Sequence, residues 1–290
     1  MSLSTLTTLF DSPLLRVTDI VCRHPRGGCG CERGDERTHL TMIRRNGFGY
    51  HARGKVVIGD STTALLYRGG DSYRISHPFE DGDECTAFEI APEHEEEVFG
   101  LRLQGRDDFR RSVSSRNLFA CLALHSSLKR GFDDALAVEE SASLLCESVL
   151  RGEKAGESAS SLSSAAFSHV QRAREAIQAD LANVDSLDAL AAKAGCSPFY
   201  LARIFRKATG FTLAEYRTRL RIAYSLDRLA QGESDLSALA QDLGFSHHSH
   251  FSSTFRRCVG MTPSAVRASL RANRLTAPGR DLIARAKARR

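Results

Sequence analysis

The last third of the chain repeats itself, and this limits its possible folds more than any other feature of the 290 residues. Leu187, Leu190, Ala191, Ala194 and Gly195 recur 49 positions later as Leu236, Leu239, Ala240, Leu243 and Gly244. Past these glycines the offset is 50, so that Arg206, Lys207, Gly210, Thr212 and Arg217 return as Arg256, Arg257, Gly260, Thr262 and Arg267. Turns accept a change of length and buried helical faces do not, which puts the extra residue in the second turn. Each copy reads as a helix-turn-helix, and two such units on one chain can touch DNA twice.

Charge follows the same division. Residues 1–100 hold 11 Lys/Arg against 16 Asp/Glu, residues 101–165 hold 9 of each, and residues 166–290 hold 20 against 10. The basic repeat half is drawn to polyanions, while the acidic front half argues against a protein that coats nucleic acid along its whole length. Arg285, Lys287, Arg289 and Arg290 extend the field into a basic tail, 273–290, whose plainer reading is a solvated terminus. No apolar run approaches the roughly 18 residues that span a bilayer. MSLSTLTTLFDSPLLR lacks a basic start followed by an apolar block, so no secretory signal is expected and the expected location is the cytoplasm.

Between about Leu14 and Ile90 the runs RVTDIVC, HLTMIRR, KVVIG, TTALLYR, SYRIS and CTAFEI are separated by Gly- and Asp-rich turns. This predicts an antiparallel barrel or jelly roll over 1–100. After Arg106 the period changes: Leu118, Cys121, Leu122, His125 and Leu128 share a helical face, and ALAVEESASLLCESVLR follows. The segment 101–150 is therefore expected to be a helical pair and a homodimer surface. The Ser/Ala/Gly/Glu-rich stretch over 151–166 reads as a linker, and 167–272 as an all-α double helix-turn-helix, making the chain α+β overall.

Ser186 or Asp185 can cap the first helix of the repeat, and Gly195 can end it. Ser197 and Pro198 suit the opening of the next. In SPFYLARIFRK the buried stripe is Leu201, Ile204 and Phe205, which leaves Ser197, Pro198, Phe199, Tyr200, Arg203, Arg206 and Lys207 at the start and on the outer face. In HHSHFSSTFRR, Phe251 and Phe255 are buried and His247, His248, Ser249, His250, Ser253, Arg256 and Arg257 are exposed. These are the candidate DNA contacts, on helices that can enter the major groove. An arginine at 203 can grip guanine O6 and N7, worth about 1–3 kcal/mol of discrimination. Its counterpart Ser253 is less selective, so the first reader is expected to specify more sequence. The alternative for Arg203 is a phosphate contact. Arg206, Lys207, Arg256 and Arg257 read as phosphate contacts or solvated helix ends. His247, His248 and His250 diverge around a helix, which favours DNA contact over a metal site.

The segments GCSPFYLARIFRKATGFTLAEYR and LAQDLGFSHHSHFSSTFRRCVGMTPSAVR resemble the AraC/XylS family of bacterial transcription regulators, over roughly Val170 to Ser269. The resemblance implies seven helices in two helix-turn-helix units, joined by a long helix that is here TLAEYRTRLRIAYSLDRLA. It implies two readers in successive major grooves of double-stranded DNA, and a cupin-like sensor barrel ahead of them. RNA polymerase is a further candidate partner. Ser253 departs from the family, whose second unit often has a basic residue there. For a small-molecule effector, Tyr50, His51, Arg53, Tyr67 and Tyr73 are candidate lining residues, and each also reads as ordinary barrel packing. A cupin enzyme is disfavoured: His51-Ala52-Arg53 lacks the second histidine, and Val57 and Ile58 stand where the carboxylate should fall.

Cys22-Arg-His24-Pro-Arg-Gly-Gly-Cys29-Gly-Cys31 places three cysteines in ten residues, with Cys85 further on. Outside oxidising compartments such clusters bind metal or do redox chemistry more often than they form disulfides. A site for zinc or another thiophilic metal would take Cys22, Cys29 and Cys31, with Cys85, His77, His24 or His39 as the fourth ligand. Arg23, Arg26 and Arg33 favour thiolates, which serves a redox or electrophile sensor equally well. A loop of inert thiols is the third reading. Cys121, Cys146, Cys196 and Cys258 fall in helical patterns and read as small core residues.

Overall fold

A computed structural model describes residues 3–28, 33–79, 82–99, 110–132, 134–152, 162–183 and 185–272. The β-branched and apolar runs of the front half form strands β1 (Ser4–Asp11), β2 (Leu15–Cys22), β3 (Gly27–Gly28), β4 (Arg33–Gly34), β5 (His39–Ala52), β6 (Lys55–Asp60), β7 (Thr63–Tyr67), β8 (Ser72–His77), β9 (Asp83–Ile90) and β10 (Arg110–Ser112). All pair antiparallel, and the main path runs β1-β2-β9-β5-β7-β10.

The long strand β5 serves two layers. Its first half pairs with β7 and β9, and its second half with β6 and β8. Between the halves the register with β9 shifts at Ile43/Arg45, and Asn46 takes a φ of 55°. A bulge of this kind bends a strand and raises its twist. On one side Leu15, Val17, Leu40, Met42, Leu66 and Phe88 pack against the helices, while Ile43, Phe48, Tyr50, Leu65, Tyr67 and Tyr73 fill the space between the layers. Both faces of the central strands are thus covered.

A 3-10 turn (Pro92–His94) and the short α1 (Glu95–Phe99) precede α2 (Ser115–Lys129) and α3 (Ala135–Arg151). The segment expected to be helical from 101 therefore begins, among its described residues, with a strand, because Arg110–Ser112 pair with Leu65–Thr63 of β7. The expected linker also ends early: α4 (Ser164–Ala179) starts at Ser164, where the Ser163 side chain accepts from Ala166 N. Then come α5 (Leu187–Ala194), α6 (Pro198–Thr209), α7 (Leu213–Ala230), α8 (Leu236–Asp242), α9 (His248–Val259) and α10 (Pro263–Arg271). Among the described residues no helix is long and apolar enough to cross a membrane.

The expectation of a dimer surface on the 101–150 helices does not survive for α2. Asn117, Leu118, Phe119, Ala120, Cys121, Leu122, Leu124, His125, Ser127 and Leu128 are all buried, and α2 packs against α3, α7, α9 and α10 of its own chain. A helix with most of its faces covered by its own chain leaves little for a partner. Two of its polar residues, the buried His125 and the exposed Lys129, meet a charge of the sheet. His125 Nε2 lies 3.1 Å from Asp19 Oδ1, Lys129 Nζ lies 3.3 Å from Asp19 Oδ2, and Arg44 pairs with the same carboxylate. Burial raises the Asp19 pKa, but the His125 bond and the Arg44, His125 and Lys129 charges outweigh it and bring it down to about 2.

A second buried carboxylate ties the sheet to the C-terminal helices. Asp60, at the end of β6, receives Thr62 N at 2.9 Å and Thr62 Oγ1 at 2.6 Å on Oδ1. On Oδ2 it receives Tyr216 Oη of α7 at 2.5 Å and the Arg174 guanidinium of α4. Arg174 also donates to Ile58 O at 2.9 Å and to Tyr216 Oη at 3.1 Å. Burial pushes the Asp60 carboxyl up, and the Arg174 charge with the Thr62, Tyr216 and Arg174 bonds holds it below the ordinary value of 3.8. A carboxyl depressed by folding stabilises the fold above its unfolded pKa, and that contribution fades as the pH falls through the folded value. Tyr216→Phe removes one hydrogen bond to a charged acceptor and should cost about 1.5–3 kcal/mol at neutral pH. Urea unfolding of parent and variant should show that gap, and the gap should close as the pH is taken below 3.8. Equal stability at pH 7 would show that Tyr216 adds nothing to the junction.

Candidate nucleic-acid interface and sensor cavity

The one-residue change of offset falls where the repeat put it. Helices α6 and α9 both span 12 residues, 50 positions apart, while α5 and α8 begin 49 positions apart at Leu187 and Leu236. In the first unit Ser186, not Asp185, makes the cap, accepting from Ala189 N, while Asp185 pairs with Lys193 at 2.7 Å. Arg172 Nε of α4 donates to Ala194 O at 2.8 Å and holds the far end of α5. In the second unit Gly244 turns with φ +70°, and a Cβ there would meet Ala182 O at 2.2 Å. Only glycine allows this approach of the turn to the end of α4. Between the units, α7 opens on a reciprocal cap in which Thr212 Oγ1 accepts from Glu215 N and Glu215 Oε2 accepts from Thr212 N.

Both readers bury the expected stripes: Leu201, Ile204 and Phe205 on α6, Phe251 and Phe255 on α9. Phe199 is 89% exposed, an unusual position for so large an apolar ring in a folded protein. Arg203, Arg206 and Lys207 are exposed, and the Arg203 guanidinium lies 5.4 Å from the centre of the half-buried Tyr200 ring. The ring supports the guanidinium by a cation–π contact and aims it outward. Ser197 occupies the capping position by backbone geometry, but its side chain makes no capping bond.

On α9 the exposed set is His248, Ser249, His250, Ser253, Arg256 and Arg257, with His247 exposed just before the first turn. The Ser253 hydroxyl donates back to His250 O at 3.1 Å. That bond uses its one donor and leaves the oxygen able to accept, whereas Arg203 is an exposed cation. Arg116 of α2 lines a cavity with Ser252, Ser253, Arg256, Arg257 and Thr262.

The front half contains a cavity of about 370 Å³ between its two layers. Tyr67 and Tyr73 line it, but Tyr50, 1% exposed, packs with its ring centre 4.6 Å from that of Tyr67. His51 and Arg53 do not line it. They border a separate cavity with Val56, Ser72 and Arg74, where His51 Nε2 lies 2.7 Å from Ser76 Oγ and Arg53 bonds Asp71 at 2.6 Å. Side chains alternate along β5, and the structure shows that these two fall on the other side of the cavity wall.

Cys22, His77, Asp83 and Cys85 line one end of the main cavity. Cys22 ends β2 and pairs directly with Asp83, the first residue of β9, while His77 ends β8. Cys22 Sγ lies 3.5 Å from His77 Nε2, and Asp83 Oδ2 lies 3.0 Å from His77 Nδ1. The Cys85 thiol donates to Asp83 Oδ1 at 3.4 Å, and burial, then the Asp83 charge, raises its pKa well above the ordinary thiol value. His24 stacks on His77 with ring centres 5.5 Å apart. His39 pairs with Glu89, six positions along β9 from Asp83, a span of about 20 Å that removes it as a ligand beside Cys22. Cys29 and Cys31 lie outside the described residues. Cys121 and Cys146 are fully buried, while Cys196 and Cys258 are partly buried against the core.

Residues 190–269 match a family model described as a helix-turn-helix domain. The regulatory protein SoxS of Salmonella typhimurium is 38% identical over 82 residues, which cover 28% of this chain and 77% of SoxS. The regulatory protein PocR of the same organism is 28% identical over 106 residues, 37% of this chain and 35% of PocR, so the chain spans about a third of that relative. A solved transcriptional regulator of Chromobacterium violaceum, described by its AraC-type DNA-binding domain, is 28% identical at a TM-score of 0.34, covering 36% of this chain and 92% of that one. With paired helix-turn-helix units built on one register, and with similarity that runs through most of SoxS, the chain belongs to the AraC/XylS family of transcription regulators.

Proposed function

We propose that the chain is a sequence-specific DNA-binding transcription regulator in which the front half senses an effector and sets the placement of two reading helices. The observation that carries this reading is that groups of the front half hold both units while both readers keep exposed outer faces. Arg110 of β10 donates to Ala208 O near the end of α6, and α2 packs against α9 and α10. The effector site is the main cavity, whose wall mixes the aromatic rings of Tyr67 and Tyr73 with the charges of Arg16, Arg37 and Glu89. A small organic molecule with polar ends suits such a lining. The three histidines before and on α9 serve DNA contact: among the described residues the one His/Cys/Asp/Glu cluster of metal-ligand geometry lies in the front half.

Two readers joined by one long helix should protect two short elements about 10.5 bp apart, centre to centre, on one face of the duplex. Footprinting of the full chain on a selected operator tests this. A single protected element, or two on opposite faces, would overturn the paired-reader geometry.

The readers should differ in kind as well as place. Arg203→Ala should relax preference at one or two base pairs of one element, by about 1–3 kcal/mol for the base it grips. Lys207→Ala or Arg257→Ala should weaken all sequences alike and lower the salt slope by about 1. Binding measured across single-base operator variants at several salt concentrations separates the two effects. Should Arg203→Ala lower every affinity by the same factor, Arg203 is a phosphate clamp.

A further inference from the structure

We propose that Cys22, His77 and Asp83 form a binding site for a thiophilic divalent cation of the zinc class, set in the wall of the front-half cavity. One ligand atom from each of the three buried side chains lies within 4.8 Å of the others. The separations have the dimensions of a coordination shell. Zinc–sulfur and zinc–nitrogen bonds near 2.3 and 2.0–2.1 Å, opened to a tetrahedral angle, put the two ligand atoms about 3.5 Å apart. Cys22 Sγ and His77 Nε2 are 3.5 Å apart. The other ring nitrogen, Nδ1, faces Asp83 Oδ2 at 3.0 Å. A carboxylate behind a ligating histidine fixes the ring and its tautomer and makes it a better ligand. In this arrangement Cys22 and His77 ligate, and Asp83 either holds the ring from behind or turns one oxygen to the cation.

The backbone is shaped to keep these groups together. Cys22 and Asp83 are register partners at the ends of two neighbouring strands. Gly82, just before Asp83, has φ +67°, and a Cβ there would stand 1.9 Å from Cys22 O. Any other residue would push the two strand ends apart, so the close pairing depends on this glycine. His24 covers one face of the His77 ring, and Ser4 Oγ lies 3.3 Å from Cys22 Sγ. The remaining coordination positions open on the cavity, where water or a donor atom of a cavity ligand can fill them. Binding displaces the Cys22 thiol proton to solvent. This site stands apart from the DNA-binding reading, because metal occupancy is measured without DNA.

The test uses the full chain, reduced, stripped with a chelator and titrated with Co²⁺ and then Zn²⁺ alone. One equivalent of Co²⁺ should produce a thiolate-to-metal charge-transfer band that Zn²⁺ abolishes. The band should vanish in Cys22→Ser. Affinity should fall by about 10–100-fold in Asp83→Asn with the band retained, and Cys196→Ser, at a half-buried cysteine of the C-terminal half, should match the parent. Far-UV circular dichroism and thermal unfolding establish that each variant is folded. X-ray absorption of the zinc-loaded parent provides a readout that no variant can spoil: one sulfur near 2.3 Å with nitrogen and oxygen near 2.0–2.1 Å. The proposal is overturned by a parent that binds neither ion, by a band that persists in Cys22→Ser, or by a shell containing three sulfurs.

Discussion

The Asp60 carboxylate is the junction on which the arrangement of the two halves depends. It is fully buried, and a buried charge left without partners costs several kcal/mol. Five donors meet its two oxygens, two from Thr62 and one from Thr63 nearby in sequence and two from α4 and α7 across the domain boundary. Sliding the sheet along the helices by one residue would separate Asp60 from Arg174 and Tyr216 and strand charges of both signs. The network therefore acts as a registry device, a use of buried ion pairs better supported than stabilisation as such. Its position decides where α4 stands, and α4 in turn holds α5 through the Arg172 bond to Ala194 O.

Much of the C-terminal half was legible because its determinants are local or periodic. The repeat gave the helix pairs, the inserted residue gave the longer second turn, and the apolar stripes separated buried from exposed reader residues. The front half was legible only as a set of strands. Nothing in SYRISH or CTAFEI shows that His77 and Asp83 end beside Cys22, because strand pairing is a long-range property set by which faces become buried. The sequence therefore points to Cys85 as a fourth thiol but carries no sign that Asp83 stands beside Cys22. The misjudged helix has a similar cause. Only one face of α2 looks apolar, and Asn117, Phe119, Ala120, Leu124 and Ser127 of the other are buried because α3, α7, α9 and α10 pack around it. One signal was present and unused: Arg174 falls among Val170, Ala173 and Ile177 on the buried face of α4. A cation on an apolar stripe requires a buried partner, and here that partner is Asp60.

The cavity and the junction share a strand. Strand β8, which ends in His77, pairs with the second half of β5, and the same stretch of β5 pairs with β6, which ends in Asp60. A ligand or cation that moves β8 thus acts on β5 at Gly49–Ala52, the residues that also hold Val56–Ile58 of β6. Coupling between distant sites needs an element with two discrete arrangements that both sites bias, rather than an unbroken chain of contacts alone.

Magnitudes make so small an element sufficient. A tenfold change in operator affinity corresponds to about 1.4 kcal/mol, within the 1–3 kcal/mol typical of coupling between sites. One hydrogen bond to a charged acceptor is worth about 1.5–3 kcal/mol, so the loss of a single Asp60 contact is of that same size. Rotation of an entire domain is not required. The readers are also unequal, since Arg203 is held outward over Tyr200 while Ser253 is bonded to its own helix. The two readers therefore expose different chemistry. If Arg203 grips a base as proposed, spoiling the fit of α6 costs sequence discrimination, whereas spoiling the fit of α9, with Arg256 and Arg257 exposed, costs chiefly the attraction to phosphate that is common to every sequence.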